Sequence, residues 1–221
     1  MLQTEGVIFL SDKRPVFQTL DFRSYQTTPF LVEETGNQGV TDLLKVCDNT
    51  LAAGKTQSIQ TDIPCAVLLL PLVGGVELTT TQGSKFIEAG EFGYIFLLPG
   101  EQLSIENPYE TELVNYLELW FSSTKSSIQN SWGKFDLENP KNTLNPLLTT
   151  CWIGKYDGRQ DNTLVLSELT TNCFVFIING VFEVQNRLLE PRDSLLLTDL
   201  VEVEFEALAN DSILLIIANQ N

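Results

Sequence analysis

The sequence predicts an all-β protein made of two tandem barrels, and three observations lead to that prediction. Short apolar runs of strand length, such as "AVLLLPLV", "YIFLLPG" and "SILLIIAN", recur between Gly, Pro, Asn and Asp residues. No segment keeps the 3.6-residue period of an amphipathic helix over three turns. Two stretches from opposite halves of the chain also resemble each other. Short strands in two copies indicate two jelly-roll barrels side by side.

The first copy is "GGVELTTTQGSKFIEAGEFGYIFLLPG". It contains Gly75-Val76, a predicted hairpin, and then Glu88 and Glu91 ahead of an apolar strand. We predict that residues 1–130 form the N-terminal domain. Residues 131–150 are polar and rich in Asn and Pro, which is typical of a connecting segment, and we assign them as the linker.

The second copy, "NGVFEVQNRLLEPRDSLLLTDL", follows the same pattern with a shorter hairpin. We predict that residues 151–221 form the C-terminal domain. Within it, "VEVEFEAL" at 201–208 alternates apolar residues with glutamates, which predicts a strand with one buried face. The dipeptide Asn179-Gly180 joins two β-rich runs and suits a type I′ turn, so a hairpin is expected there.

The charge composition excludes several classes of partner. Lys and Arg number 13 against 29 Asp and Glu, which gives a net charge of −16. Such a chain repels the phosphate backbone of nucleic acids and anionic membrane surfaces. The longest apolar run, residues 66–73, is far shorter than the roughly 20 residues that cross a bilayer. Neither nucleic acid nor membrane is therefore an expected partner.

The cysteines and the N-terminus indicate a reducing location. The four cysteines, Cys47, Cys65, Cys151 and Cys173, have no metal-binding spacing and mostly lie in or beside apolar runs. We expect them to be buried thiols that act as small hydrophobic residues. The start "MLQTEGVIFLSDKR" lacks the charge pattern of an export signal. A cytoplasmic location is the expectation.

Several motifs resemble the pirin family of the cupin superfamily. The segments "AGEF", "ENPYETE" and "ELWF" are similar to the N-terminal cupin of pirins, and "NGVFEV" is similar to their C-terminal cupin. The resemblance extends from about residue 40 onward. It implies a bicupin fold, two double-stranded β-helix barrels, and an iron centre in the first barrel.

The iron ligands that the resemblance implies are missing. Pirins hold iron with a His-x-His pair, a later His and a Glu two residues after it, and this chain contains no histidine. The motif places the first pair at Gln60 and Asp62 and the other two ligands at Leu103 and Ile105. Hydrocarbon side chains donate no lone pair, so no cofactor is expected at these degenerate positions.

A weak site for a hard cation is an alternative for the same positions. Gln60 and Asp62 share a strand face, and Glu101 is a possible additional pocket residue that would add a third oxygen donor. Leu103 and Ile105 are more simply explained as packed hydrocarbon that fills the former metal position. If Asp62 is buried beside them it needs a partner, for which Lys55 is the candidate.

Three functions remain open from the sequence. The first is a pirin-like protein that has lost its metal site and serves, without catalysis, as a regulatory protein or as a binding protein for a small molecule or another protein. The second is a metal-dependent dioxygenase of the quercetin-degrading kind, which the family resemblance suggests. Dioxygenation needs a redox metal, and the chain offers no imidazole to hold one. The third is a purely structural interaction protein.

Overall fold

The structure of the protein is a computed structural model that describes residues 5–28, 43–123, 129–166 and 171–218. These residues form two compact units. The N-terminal unit contains residues 15–28, 43–123 and 129–135, and the C-terminal unit contains residues 5–14, 136–166 and 171–218. The regular secondary structure of the described residues is strand apart from one 3-10 turn, so the all-β prediction is confirmed.

The strands follow one another with short turns. The first twelve are β1 (Gly6–Phe9), β2 (Val16–Gln18), β3 (Phe22–Thr27), β4 (Leu43–Leu51), β5 (Thr56–Gln60), β6 (Cys65–Val73), β7 (Gly75–Thr80), β8 (Gly83–Glu88), β9 (Glu91–Leu97), β10 (Gln102–Glu106), β11 (Val114–Ser122) and β12 (Ser131–Lys134). The rest are β13 (Thr143–Leu148), β14 (Cys151–Tyr156), β15 (Asp161–Val165), β16 (Thr171–Asn179), β17 (Phe182–Val184), β18 (Arg187–Leu189), β19 (Ser194–Leu200), β20 (Glu202–Ala207) and β21 (Ser212–Ala218). A single 3-10 turn, Ser11–Lys13, interrupts the strands described.

Each unit contains two sheets. In the N-terminal unit the strand orders are β12-β9-β6-β11-β4-β3-β2 and β5-β10-β7-β8. In the C-terminal unit they are β1-β19-β16-β21-β14-β13 and β15-β20-β17-β18. The orders β9-β6-β11-β4 and β19-β16-β21-β14 correspond when ten is added to each number. The four-stranded sheets correspond in the same way, so the predicted internal repeat is a repeat of topology.

The hydrophobic core of each unit contains side chains from both of its sheets. In the N-terminal unit, Val67 and Leu69 from β6 belong to the same core cluster as Leu78 from β7 and Leu103 from β10. The alternation predicted for 201–208 is present in β20, where Val203, Phe205 and Ala207 are buried in the core of the C-terminal unit, but Val201 precedes the strand and is exposed. Burial of one face of each strand is the main force that pairs the two sheets.

The cysteines occupy the interiors as expected. All four are buried and none forms a disulfide. Burial is the main reason, and the nearby Glu118 carboxyl the second, that the pKa of the Cys47 thiol is raised to about 12. Burial also raises the pKa values of Cys151 and Cys173. The thiols are therefore protonated and unreactive near neutral pH.

The predicted hairpin at Asn179-Gly180 is wrong. β16 pairs with β19 and β21, whereas β17 pairs with β18 and β20 in the other sheet of the unit. The chain crosses between sheets here. Gly180 has a φ of +74°, and a Cβ atom at this position would collide with the Ser212 side chain. The glycine marks a tight passage between sheets, which the dipeptide alone does not distinguish from a hairpin turn.

The domain boundaries differ from the predicted 1–130, 131–150 and 151–221. β1 pairs with β19, so the first described strand belongs to the C-terminal unit. β12 pairs with β9 of the N-terminal unit, and β13 pairs with β14 of the C-terminal unit, so much of the predicted linker is strand. These edge strands complete backbone hydrogen bonds of their sheets, and they carry little apolar pattern in the sequence.

Candidate functional site

One part of the candidate site is a hydrocarbon surface inside the N-terminal unit. β5 and β10 are antiparallel neighbours, with Leu103 opposite Ile59 and Ile105 opposite Gln57. Directly opposite residues share a face of a sheet. Leu103 and Ile105 are both 0% exposed and belong to the core of the unit. We call Gln57, Ile59, Leu103 and Ile105 the β5–β10 inner face.

The structure does not bring Gln60 and Asp62 to this face. Gln60 lies opposite Gln102, one residue from Leu103, and its side chain is exposed and donates to the Gly100 carbonyl oxygen at 2.9 Å. Asp62 lies beyond the end of β5 and is also exposed. The predicted grouping is corrected to Gln57 and Ile59. The shift of three residues is odd, and an odd shift moves a set of side chains to the opposite face.

Glu101 and Lys55 have other partners than those predicted. Glu101 precedes β10, and its carboxylate accepts a hydrogen bond from the Leu98 backbone N–H at 2.9 Å and one from the Thr81 hydroxyl at 3.4 Å. It therefore closes a turn. Lys55 lies 3.2 Å from the Asp21 carboxylate, in a half-exposed ion pair. Neither residue supports a cation site with Asp62.

A row of polar side chains faces the same interior from the larger sheet. In the pairing of β4 with β11, Lys45 lies opposite Trp120, Cys47 opposite Glu118 and Asn49 opposite Tyr116. Cys47, Tyr116 and Trp120 belong to the core cluster that contains Leu103 and Ile105. Alternate residues of a strand share a face. Glu118 is two residues from both Tyr116 and Trp120, and Lys45 and Asn49 are each two residues from Cys47, so all of them face the same interior. We call these six residues the β4–β11 polar row.

Glu118 is the central group of the row and is only 3% exposed. Its Oε1 accepts a hydrogen bond from Asn49 Nδ2 at 2.7 Å, and its Oε2 accepts one from Trp120 Nε1 at 3.0 Å. Burial raises the pKa of Glu118 to about 7, although the Trp120 and Asn49 hydrogen bonds and the charge of Lys45 act in the opposite direction. This carboxyl group can therefore change its charge near neutral pH.

The ends of the row extend the polar network. The Lys45 ammonium nitrogen lies 4.2 Å from the centroid of the Trp120 ring, a cation–π contact. At the other end, the Tyr116 hydroxyl donates to Gln57 Oε1 at 2.5 Å. Burial raises the pKa of Tyr116, and the charge of Glu118 adds to that effect. The Tyr116–Gln57 bond joins the two sheets across the interior.

The residues of this interior do not fit the iron that the family resemblance implies. Iron in such sites needs imidazole nitrogens and carboxylates as ligands. The chain has no histidine, and the β5–β10 inner face offers two aliphatic side chains opposite an isoleucine and an amide. Across the described residues, no group of three or more Cys, Asp or Glu side chains is arranged to hold a metal ion.

Sequence reasoning missed the β4–β11 polar row, although "NYLELWF" carries a signal for it. Tyr116, Glu118 and Trp120 alternate with leucines, so they share one face of a strand. A charged residue in the middle of a long apolar strand is rarely buried without a specific reason. The alternation could have placed Glu118 beside two aromatic groups, but not beside Asn49, which is 69 residues away.

The strand orders and the two cores define the fold. Two β units whose central strands follow the same order, each with its core between two sheets, have the arrangement of a bicupin fold. No protein-family model matches the sequence, and no curated protein matches it. Within the described residues, no helix is long and apolar enough to cross a membrane.

Several solved structures have a fold similar to that of this chain, and they identify the kind of bicupin fold. The nickel(II) complex of the bacterial pirin YhhW from Escherichia coli has a TM-score of 0.76 and 16% identity, over 96% of this chain and 98% of that chain. YhaK from Escherichia coli has a TM-score of 0.69 and 17% identity, over 95% of each chain. A quercetin 2,3-dioxygenase from Acinetobacter baumannii has a TM-score of 0.70 and 14% identity, over 97% of this chain and 85% of that chain. The chain has a pirin-like bicupin fold.

Proposed function

We propose that this protein is a pirin-like bicupin whose N-terminal unit has lost the metal site, and that it is a non-catalytic binding or regulatory protein. The observation that carries the proposal is the β5–β10 inner face. Leu103 and Ile105 are fully buried opposite Ile59 and Gln57, in the interior where the resemblance implies iron. Packed hydrocarbon stabilises the unit by removal of apolar area from water but supplies no ligand to a metal.

The fold likeness to a quercetin 2,3-dioxygenase suggests an enzyme as the alternative. Dioxygenation of a flavonol requires a redox metal that binds the substrate or oxygen. The possible metal ligands of the interior argue against that activity. Glu118 is the carboxylate of the polar row, and both of its oxygens already accept hydrogen bonds, from Asn49 and Trp120.

The partner in this proposal is a small molecule or a protein rather than a nucleic acid. A net charge of −16 disfavours association with phosphate backbones and anionic lipids. The buried free cysteines are consistent with the predicted cytoplasmic, reducing location.

A thermal-shift screen tests the binding function. The probes are small carboxylates, amines, nucleotides and flavonols, each added to the untagged protein. A ligand present at 100 times its dissociation constant stabilises the folded state by about 2.7 kcal/mol, which raises the midpoint of a domain of this size by roughly 5–10 °C. We expect at least one probe class to give such a shift.

The same screen separates the alternatives. If no probe raises the midpoint, the purely structural role is favoured over binding. Consumption of a flavonol and oxygen after addition of iron, nickel or copper would contradict the non-catalytic proposal. A matched variant is Asn49→Leu, which keeps the size of the side chain but removes its polar atoms from the interior. A ligand that binds the polar row loses its shift in this variant.

A further inference from the structure

A buried carboxyl group and a buried carboxamide face each other inside the N-terminal unit. Glu118 is 3% exposed and Asn49 is 1% exposed, on neighbouring strands β11 and β4. We infer that they form a proton-coupled pair: Glu118 reversibly binds a proton from solvent, and the Asn49 carboxamide reverses its orientation to accept the new O–H. This inference is independent of the proposed binding function.

The hydrogen bonds of the pair fit the ionised state of Glu118. Each carboxylate oxygen accepts one bond, Oε1 from Asn49 Nδ2 at 2.7 Å and Oε2 from Trp120 Nε1 at 3.0 Å. Asn49 Oδ1, however, is buried and has no hydrogen-bond partner among the described residues. A buried acceptor without a donor is costly. The ionised state thus leaves one unsatisfied oxygen beside the carboxylate.

Protonation changes Glu118 from a group that only accepts hydrogen bonds into one that must also donate one. A neutral Glu118 carries an O–H group that must donate to an acceptor. Rotation of the Asn49 carboxamide about its terminal bond brings Oδ1 to the position that Nδ2 occupies in the structure. The Glu118 O–H then donates to Asn49 Oδ1, while the other Glu118 oxygen still accepts from Trp120 Nε1. One proton and one amide rotation give Asn49 Oδ1 a donor, and Nδ2 moves from Glu118 to the side of the carboxamide that Oδ1 occupied.

The groups that face Glu118 allow the neutral state. On β4, Cys47 lies directly opposite and Lys45 lies one pair further along. On β6, the residue opposite is Leu69, which is apolar and fully buried. Tyr116 flanks Glu118 on its own strand. Lys45 is therefore the cation that faces Glu118, and its ammonium group lies over the Trp120 ring.

Of the described residues, those packed around this first set contribute no further positive charge to Glu118. Ser24 on β3 hydrogen-bonds the Cys47 thiol, and Gln57 on β5 accepts from Tyr116. Asp48 acts on Cys47 as a like charge and accepts a hydrogen bond from Asn115 at 2.9 Å. Among the described residues no ion pair includes Glu118. Burial without a paired cation raises the pKa of Glu118 to about 7, so the proton binds and leaves close to neutral pH.

Nuclear magnetic resonance of ¹⁵N-labelled protein tests the pair. The indole N–H signal of Trp120 and the side-chain NH₂ signals of Asn49 are followed from about pH 5 to about pH 8.5, a range that lies above the titration of ordinary carboxyl groups. We expect both sets of signals to shift with one common midpoint near pH 7. The indole signal of Trp132, which is 39% exposed on β12, is the internal control and does not follow this curve.

Glu118→Gln is the matched variant, because a glutamine amide donates to Asn49 Oδ1 and accepts from Trp120 as the neutral acid would. We expect its Trp120 and Asn49 signals to be independent of pH. A midpoint below about pH 5 in the wild type, or a Trp120 titration that the Asn49 signals do not follow, overturns the inference. A titration that persists in Glu118→Gln also overturns it. If the variant does not fold, the two wild-type curves still decide.

Discussion

Replacement of Glu118 by glutamine is expected to raise the free energy of unfolding at pH 8 by roughly 3 kcal/mol. The ionised carboxyl is 3% exposed and has no paired cation among the described residues, so its charge is costly to hold in the core. Glutamine has the same shape and keeps an acceptor for Trp120 Nε1 and a donor for Asn49. The variant removes the charge and little else.

The pH dependence has a definite direction. The folded-state pKa of Glu118 is raised from 4.5 to about 7, so between these values the folded chain binds a proton that the unfolded chain releases. The resulting stability is fully present below about pH 4.5, decreases as the pH rises, and is lost above about pH 7. The difference between Glu118→Gln and the wild type should therefore be small near pH 5 and largest near pH 8.

Urea denaturation at several pH values, followed by tryptophan fluorescence, measures this difference. Trp120 and Trp132 lie in the N-terminal unit and Trp152 lies in the C-terminal unit, so the measurement is made in a Trp152→Phe background, in which the fluorescence reports the N-terminal unit. The control is Glu106→Gln, the same substitution at an exposed position of β10, which should leave the pH dependence unchanged. A Glu118→Gln variant that is less stable than the wild type at pH 8, with the same pH slope, would contradict the assignment of a costly buried charge.

Four substitutions on the β5–β10 inner face are expected to create a metal site. The variant combines Gln57→His, Ile59→His, Leu103→His and Ile105→Glu, so three imidazoles and a carboxylate converge from two paired strands. Imidazole and carboxylate ligands suit iron, nickel and zinc. We expect the folded variant to bind one divalent ion at least about 100-fold more tightly than the wild type, and the metal to raise its unfolding midpoint.

A second quadruple variant is the matched control for the strand register. It replaces the two β5 substitutions by Gln60→His and Asp62→His and keeps Leu103→His and Ile105→Glu. The number and type of ligands are the same, but two imidazoles are on exposed positions away from the inner face. Isothermal titration with nickel compares the two proteins. Tight binding by the control, with none by the first variant, would show that the register of β5 against β10 is wrong.

The sequence predicted the fold because strand formation depends on local patterns. The apolar runs that became β6, β9, β16, β19 and β21 are strand-length and bounded by turn residues. The order of strands within the sheets depends on contacts between distant residues, which the runs do not encode individually. The Asn179-Gly180 turn illustrates this limit, since a left-handed glycine suits both a hairpin and a passage between sheets.

The site was predicted only in part for a related reason. Leu103 and Ile105 are buried at the positions that the family resemblance implies, because no turn lies between them and the motif "NPYETE" from which they are counted. The resemblance puts the first ligand pair at Gln60 and Asp62, three residues from the inward positions Gln57 and Ile59, since a distant resemblance does not fix the count through a turn. The contact of Glu118 with Asn49 depends on the register of β11 against β4, which is set by the whole sheet.

The central claim is that the interior of the N-terminal unit holds hydrocarbon and a buried carboxyl group in place of a metal centre. Elemental analysis by mass spectrometry tests it most directly, on protein purified without a histidine tag, because the chain has no histidine of its own. We expect less than about 0.1 equivalent of iron, nickel, manganese, copper or zinc per chain after dialysis, since structural sites keep their metal under these conditions. Close to one equivalent of any of these metals, lost on substitution of Glu118 by glutamine, would contradict the claim.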